Sequence, residues 1–128
     1  MNGNILDTNV IIRLLNGNAT VRSAVYDMER IYIPAVVIGE LLFGAEKSQK
    51  REQNRKNYLD FCAPYPVLDV TKEVAAEYGR LKCEQQSHGN IMPENDMWIA
   101  ATALANNMTV VTQDKHFEHI PMLTVIKL

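Results

Sequence analysis

Cysteine is scarce in this sequence. Cys62 and Cys83 stand alone, without the close pairing that a zinc or redox motif needs, and are expected to be buried thiols in a reducing compartment. Long hydrophobic runs are missing too. The longest apolar stretch, residues 31–45, is interrupted by Pro34 and Glu40, which leaves it too short and too broken to span a bilayer. The amino terminus has neither the basic region nor the apolar run of a signal peptide, so a cytoplasmic protein with no membrane partner is expected. Two Asn-x-Thr triplets, at Asn18 and Asn107, therefore carry no meaning as glycosylation sites. An excess of one charge is also lacking. With a net charge of -2 and a pI near 5.9, there is no global basic field, and any nucleic-acid contact must rest on a local patch.

What remains is ordinary globular material. A chain of 128 residues, 47% hydrophobic and 22% charged, is expected to form one domain, residues 1–128, with a single core. Its most informative stretch is ILDTNVII, residues 5–12. A short apolar run there reads as a central parallel strand ending at Asp7, and Val10, Ile11, Leu14 and Leu15 recur at helical spacing just after it.

A turn at Asn16-Gly17-Asn18 precedes a second helix marked by Val21, Val25 and Met28. Residues 31–33 form a short strand, and residues 34–45, with Pro34 in the first turn, are apolar nearly all round and read as a buried helix. The run 47–56 is basic, with Lys47, Lys50, Arg51, Arg55 and Lys56 outnumbering Glu46 and Glu52. Such a run ordinarily is a solvated helix face. Residues 65–70 read as a strand and Thr71 as an N-cap. Val74, Tyr78 and Leu81 mark the inner face of the next helix, closing near His88-Gly89 with Gly89 in a left-handed cap. A further helix runs over 93–104, with Asn107 left-handed at its close. Residues 109–112 form a β-branched strand, Phe117 packs the following loop down, and 123–126 form a last strand. Strands alternating with helices predict an α/β fold of three layers, a central parallel sheet flanked by helices.

Four carboxylates stand out against this background. Asp7 and Asp114 both lie at strand carboxyl ends, where open α/β sheets place their ligand crevice. Asp7 also has a plain structural role open to it, as N-cap of the helix that follows. Asp96 near a helix amino end is accounted for by the macrodipole alone. Glu40 is harder to account for, because an ionised carboxylate in an apolar helix is costly unless a cation or hydrogen bonds meet it. Four carboxylates without a paired His or Cys make a hard oxygen site, suited to Mg²⁺ or Mn²⁺ rather than zinc. His116 and His119 are expected to decorate a surface loop, and no His or Lys offers itself as a general base.

The stretches LDTNVII (6–12), VVIGELLFGA (36–45), ENDMWIAATAL (94–104) and VTQDKHF (111–117) together resemble the PIN domain, a metal-dependent ribonuclease fold, and within it the VapC toxins of bacterial toxin-antitoxin pairs. They run in the family's order over nearly the whole chain. The resemblance implies that Asp7, Glu40, Asp96 and Asp114 form an acidic quartet binding Mg²⁺ or Mn²⁺, and that Thr8, Asn9, Asn95 and Thr112 support it. It further implies an RNA substrate, a homodimer, and an inhibiting antitoxin that sets an Arg or Lys near the acids. Asn107 replaces the family's usual glycine before the fourth strand.

Four other readings compete. A non-toxin PIN nuclease of RNA processing would share the fold and the quartet and differ in having no antitoxin gene beside it. A phosphoacceptor receiver domain has similar topology, with Asp69 and Lys115 as its markers, but wants an acidic pair after the first strand. A haloacid-dehalogenase-like phosphatase wants a second aspartate where Asn9 stands. A non-catalytic PIN module for RNA or protein binding keeps the fold without the cut, and the intact quartet weighs against it.

Overall fold

The strand formed by Asn4–Leu6 (β1) occupies the middle of a five-stranded sheet, and Ile5 and Leu6 are fully buried there. Its unbroken apolar character is what a strand covered on both faces requires. The computed structural model describes residues 3–128. Around β1 lie Ile31–Pro34 (β2), Val67–Leu68 (β3), Thr109–Thr112 (β4) and Val125–Lys127 (β5), in the order β3-β2-β1-β4-β5, and every pairing is parallel. Parallel neighbours need crossovers, supplied here by helices Thr8–Leu15 (α1), Ala19–Tyr26 (α2), Ala35–Glu46 (α3), Arg51–Cys62 (α4), Lys72–Ser87 (α5) and Glu94–Asn106 (α6). The α/β architecture, with a central parallel sheet flanked by helices, is the one the alternating pattern predicted.

Local signals explain most boundaries. Asp7, Asn18 and Thr71 each accept a backbone N–H at the start of α1, α2 and α5, the N-cap role that short polar side chains favour. Asn107 closes α6 at φ 55° and Gly89 follows α5 at φ 68°, both in the left-handed region that the sequence reading assigned them. Phe117 is fully buried beneath a 3-10 turn, Lys115–His119, that follows β4. Among the described residues no helix is long and apolar enough to cross a membrane.

Several expectations need correction. The third strand is two residues long rather than six, because it pairs on the outer side of β2 and starts after Pro66, whose carbonyl accepts the N–H of Ile33. The last strand begins at Val125 rather than Leu123, Met28 lies beyond α2, and Pro34 ends β2 and caps α3 instead of entering it. Helix α3 is buried only along Val37, Leu41 and Ala45, and Phe43 is 65% exposed. Cys62 is buried as expected but Cys83 is exposed. The basic run is split, with Lys47 and Lys50 between α3 and α4 and Arg51, Arg55 and Lys56 on α4 itself. All five are exposed.

Candidate active site

At the carboxyl edge of the sheet, β1 and β4 end side by side, Leu6 in register with Val111. The chain then carries Asp7 out of β1 into α1, and its backbone N–H still bonds to the Val111 carbonyl at 2.9 Å. Asp7 is only 3% exposed. One of its carboxylate oxygens accepts the N–H of Thr8 at 2.8 Å and the other accepts the hydroxyl of Thr112 at 2.6 Å. The structural role is therefore filled, since Asp7 caps α1, and the same carboxylate lies within reach of the charges of Asp96 and Glu40.

Thr112 links the two strand ends. While its hydroxyl donates to Asp7, its oxygen accepts the N–H of Asp114 at 2.9 Å. Asp114 in turn starts the 3-10 turn by accepting the N–H of His116 at 2.9 Å. Asn9 braces the same loop, its side-chain oxygen accepting from Gln113 at 3.4 Å. On the helical side, Glu40 of α3 accepts the Thr8 hydroxyl at 2.7 Å and the Asn95 amide at 3.2 Å. The four polar residues singled out from sequence thus hold the acids or the loop that carries them.

Asp96, in the first turn of α6, has a different neighbour. His116 Nδ1 lies 3.2 Å from Asp96 Oδ2 and 2.9 Å from Asp114 Oδ1. This corrects the expectation that His116 merely decorates a surface loop. The histidine is partly exposed yet is the one cationisable group within ion-pair distance of the quartet, since among the described residues no Lys or Arg reaches any of the four carboxylates.

The electrostatics follow from that geometry. Burial pushes the Asp7 pKa from 3.8 up to about 6; hydrogen bonds from Thr112 and Thr8 oppose the rise, and the charges of Asp96 and Glu40 add to it. Asp96 is also raised, chiefly by burial, with Asp114 and Glu40 contributing repulsion and His116 relieving part of it. Asp7 thus feels the charges of Asp96 and Glu40, and Asp96 those of Asp114 and Glu40, which makes this edge a concentration of negative charge. Hard, anionic oxygen donors that lack Lys or Arg partners fit a divalent cation of the Mg²⁺ or Mn²⁺ kind.

Beside the cluster runs an open groove of about 660 Å³ bordered by Asn9, Arg13, Asp114, Lys115 and His116. Sequence reasoning passed over Arg13, whose only signal was its placement two turns into α1 after Asp7. A larger hollow of about 870 Å³ opens at the opposite edge, by Asn4, Arg30 and Thr109 at the strands' amino ends, and touches none of the four acids. Asp69, the marker of the receiver reading, follows the outermost strand and is exposed.

The sequence profile of the PIN domain matches residues 5–123. The chain belongs to the PIN-domain family. This PIN domain is similar to the ribonuclease VapC2 of Rickettsia felis, 33% identical over 126 residues that span 93% of this chain and 92% of the relative. It is 31% identical over 119 residues to the tRNA(fMet)-specific endonuclease VapC of Shigella flexneri, spanning 91% and 90% of the two chains. Among solved structures, a chain of the Rickettsia felis VapBC2 complex bound to a promoter DNA fragment superposes with a TM-score of 0.91 at 31% identity, covering 100% of this PIN domain and 99% of that chain.

Proposed function

We propose that this chain is a VapC-type endoribonuclease, the toxin of a toxin-antitoxin pair, which hydrolyses RNA phosphodiester bonds with the help of Mg²⁺ or Mn²⁺. The observation that carries the proposal is the convergence of Asp7, Glu40, Asp96 and Asp114 on one sheet edge, Asp7 and Glu40 held by neutral donors and Asp96 and Asp114 meeting His116, with no Lys or Arg against any of the four among the described residues. Relatives named as ribonucleases support the activity, and toxin-antitoxin complexes among the structural neighbours support the partner.

Asp7 and Asp96 are direct ligands in this reading, and Glu40 and Asp114 complete the site directly or through water. When bound, the ion polarises the phosphoryl oxygen, lowers the pKa of the attacking water and offsets charge on the departing 3′-oxygen. Thr112 and Thr8 hold Asp7 in the one orientation that also caps α1, so the first ligand is fixed before substrate arrives. Thr8 and Asn95 do the same for Glu40, one donor to each oxygen. Arg13 and Lys115, flanking the groove, receive the phosphates next to the scissile one. The exposed run 47–56 adds a local positive patch to a chain whose net charge is -2.

An antitoxin inhibits the enzyme by setting an Arg or Lys against the quartet, where it competes with the ion for the carboxylates. The enzyme works in the cytoplasm as a homodimer, and exposed Phe43 on α3 supplies apolar surface for a partner chain to cover. Incubating the purified protein with tRNA in Mg²⁺, Mn²⁺ or EDTA tests the activity. Cleavage with either ion, and none in EDTA or with Asp96→Asn, is expected; undiminished cleavage in chelator would overturn the ion-dependent mechanism.

A further inference from the structure

We propose that His116 is a nitrogen ligand of the ion held at the carboxylate cluster, an inference that rests on the ion-binding reading above and adds a fifth residue to it. Its Nδ1 stands 2.9 Å from Asp114 Oδ1 and 3.2 Å from Asp96 Oδ2. One donor atom from each of these three residues falls within a mutual span of 4.8 Å. An octahedral ion with ligands at about 2.1 Å sets neighbouring donors about 3.0 Å apart. The two separations are therefore of the length that edges of such a coordination shell would have, with Nδ1 as the donor common to both.

The fold gives His116 this position through its own backbone. Because Asp114 accepts the His116 N–H, the chain turns tightly after β4 and the ring comes back over the carboxylate two residues earlier. Asp96 arrives from α6 and meets the same ring nitrogen. The contact is thus assembled from two elements far apart in sequence. Chemistry then separates this arrangement from one of oxygen donors alone. Imidazole suits the later first-row ions best, and both Mg²⁺ and Mn²⁺ are at home among carboxylates and water; of those two, Mn²⁺ as a transition ion gains more from a nitrogen donor, so His116 favours Mn²⁺ over Mg²⁺.

The rival role for His116 is that of a placeholder, which bonds to the two acids while no ion is present and leaves when one arrives. The two roles have opposite signs. Removing a ligand weakens ion binding, and removing a competitor strengthens it. The test compares the wild-type protein with His116→Gln, using melting in EDTA to establish that both are folded, calorimetric titration with Mn²⁺ and with Mg²⁺, and pulsed EPR of the Mn²⁺ complexes. The expected result is a Mn²⁺ Kd raised about 10-fold or more in the variant, a Mg²⁺ Kd changed by less than about 3-fold, and a nitrogen coupling to Mn²⁺ that disappears with the imidazole. A Mn²⁺ affinity unchanged or tighter in His116→Gln, or a wild-type Mn²⁺ spectrum without nitrogen coupling, would overturn the inference while leaving the carboxylate site standing. Failure of the wild-type protein to bind either ion would overturn the ion-binding reading itself, and His116 with it.

Discussion

Replacing Asp7 by Asn should make the ion-free protein more stable. Burial lifts the Asp7 pKa from 3.8 to about 6, so between those values the folded state holds a proton that the unfolded state releases. Stability contributed by the protonated form is complete below about 3.8 and is lost as the pH rises through about 6. At pH 7.5 the ionised carboxylate therefore destabilises the fold by about 3 kcal/mol relative to its neutral form. Asparagine never bears that charge and ranks with aspartate as an N-cap, so the bond from Thr8 survives. One loss offsets part of the gain. The Thr112 hydroxyl now faces an amide and, still accepting from Asp114, gives up its own donation, worth about 1 kcal/mol. The net gain is about 1 to 2 kcal/mol, or roughly 4 to 8 °C in melting temperature. Thermal unfolding of both proteins in EDTA, followed by circular dichroism from pH 4 to 7.5, should show the advantage of Asp7→Asn growing with pH. Adding Mn²⁺ should erase it, since an ion at 100 times its Kd stabilises the wild type by about 2.7 kcal/mol. A variant that melts lower than the wild type in EDTA at pH 7.5, or an advantage independent of pH, would refute the reasoning.

Thr112→Val keeps the shape of a buried β4 residue but removes the donor to Asp7 and the acceptor for Asp114. Because that bond lowers the Asp7 pKa, the variant should titrate above about 6 by carboxyl NMR and unfold about 1 to 3 kcal/mol more easily by urea; an unmoved Asp7 titration would show that Thr112 does not hold it. In the basic run, Lys56 is tied to Asp60 at 2.6 Å, whereas among the described residues Lys50, Arg51 and Arg55 have at most one loose pairing, Arg51 with Glu46 at 3.9 Å. Changing those three to Gln should weaken RNA binding and reduce its log-log salt slope by about 2, and an unaltered slope in a filter-binding assay would return the run to plain solvated surface.

Much of the candidate site's placement was legible because its main determinants are local. Asp7 and Asp114 follow runs whose hydrophobicity marks them as buried strands, and in a parallel sheet neighbouring strands must end on the same edge. Glu40 betrayed itself by charge within an apolar helix. The contact of His116 was not legible, because it depends on a single 3-10 turn that no periodicity encodes, and on where α6 docks. Cys83 is a different kind of miss. Val74, Tyr78, Leu81 and Gln85 recur at helical spacing and face inward on α5, which turns position 83 outward, so the signal was present and outweighed by cysteine's usual burial. The exposure of Phe43 escaped for a physical reason as well. A helix apolar on every side cannot say which side lacks a neighbour within the chain, and here the covered stripe is only Val37, Leu41 and Ala45.

The most direct measurement is anomalous scattering from crystals of the protein soaked in Mn²⁺. A peak within ligand distance of Asp96 and Asp7, at the edge where β1 and β4 end, is the predicted result, and it should vanish in crystals of Asp96→Asn. Full-occupancy Mn²⁺ elsewhere on the protein with none at this edge, or a peak there that persists without Asp96, would contradict the claim that these four carboxylates form one ion-binding centre.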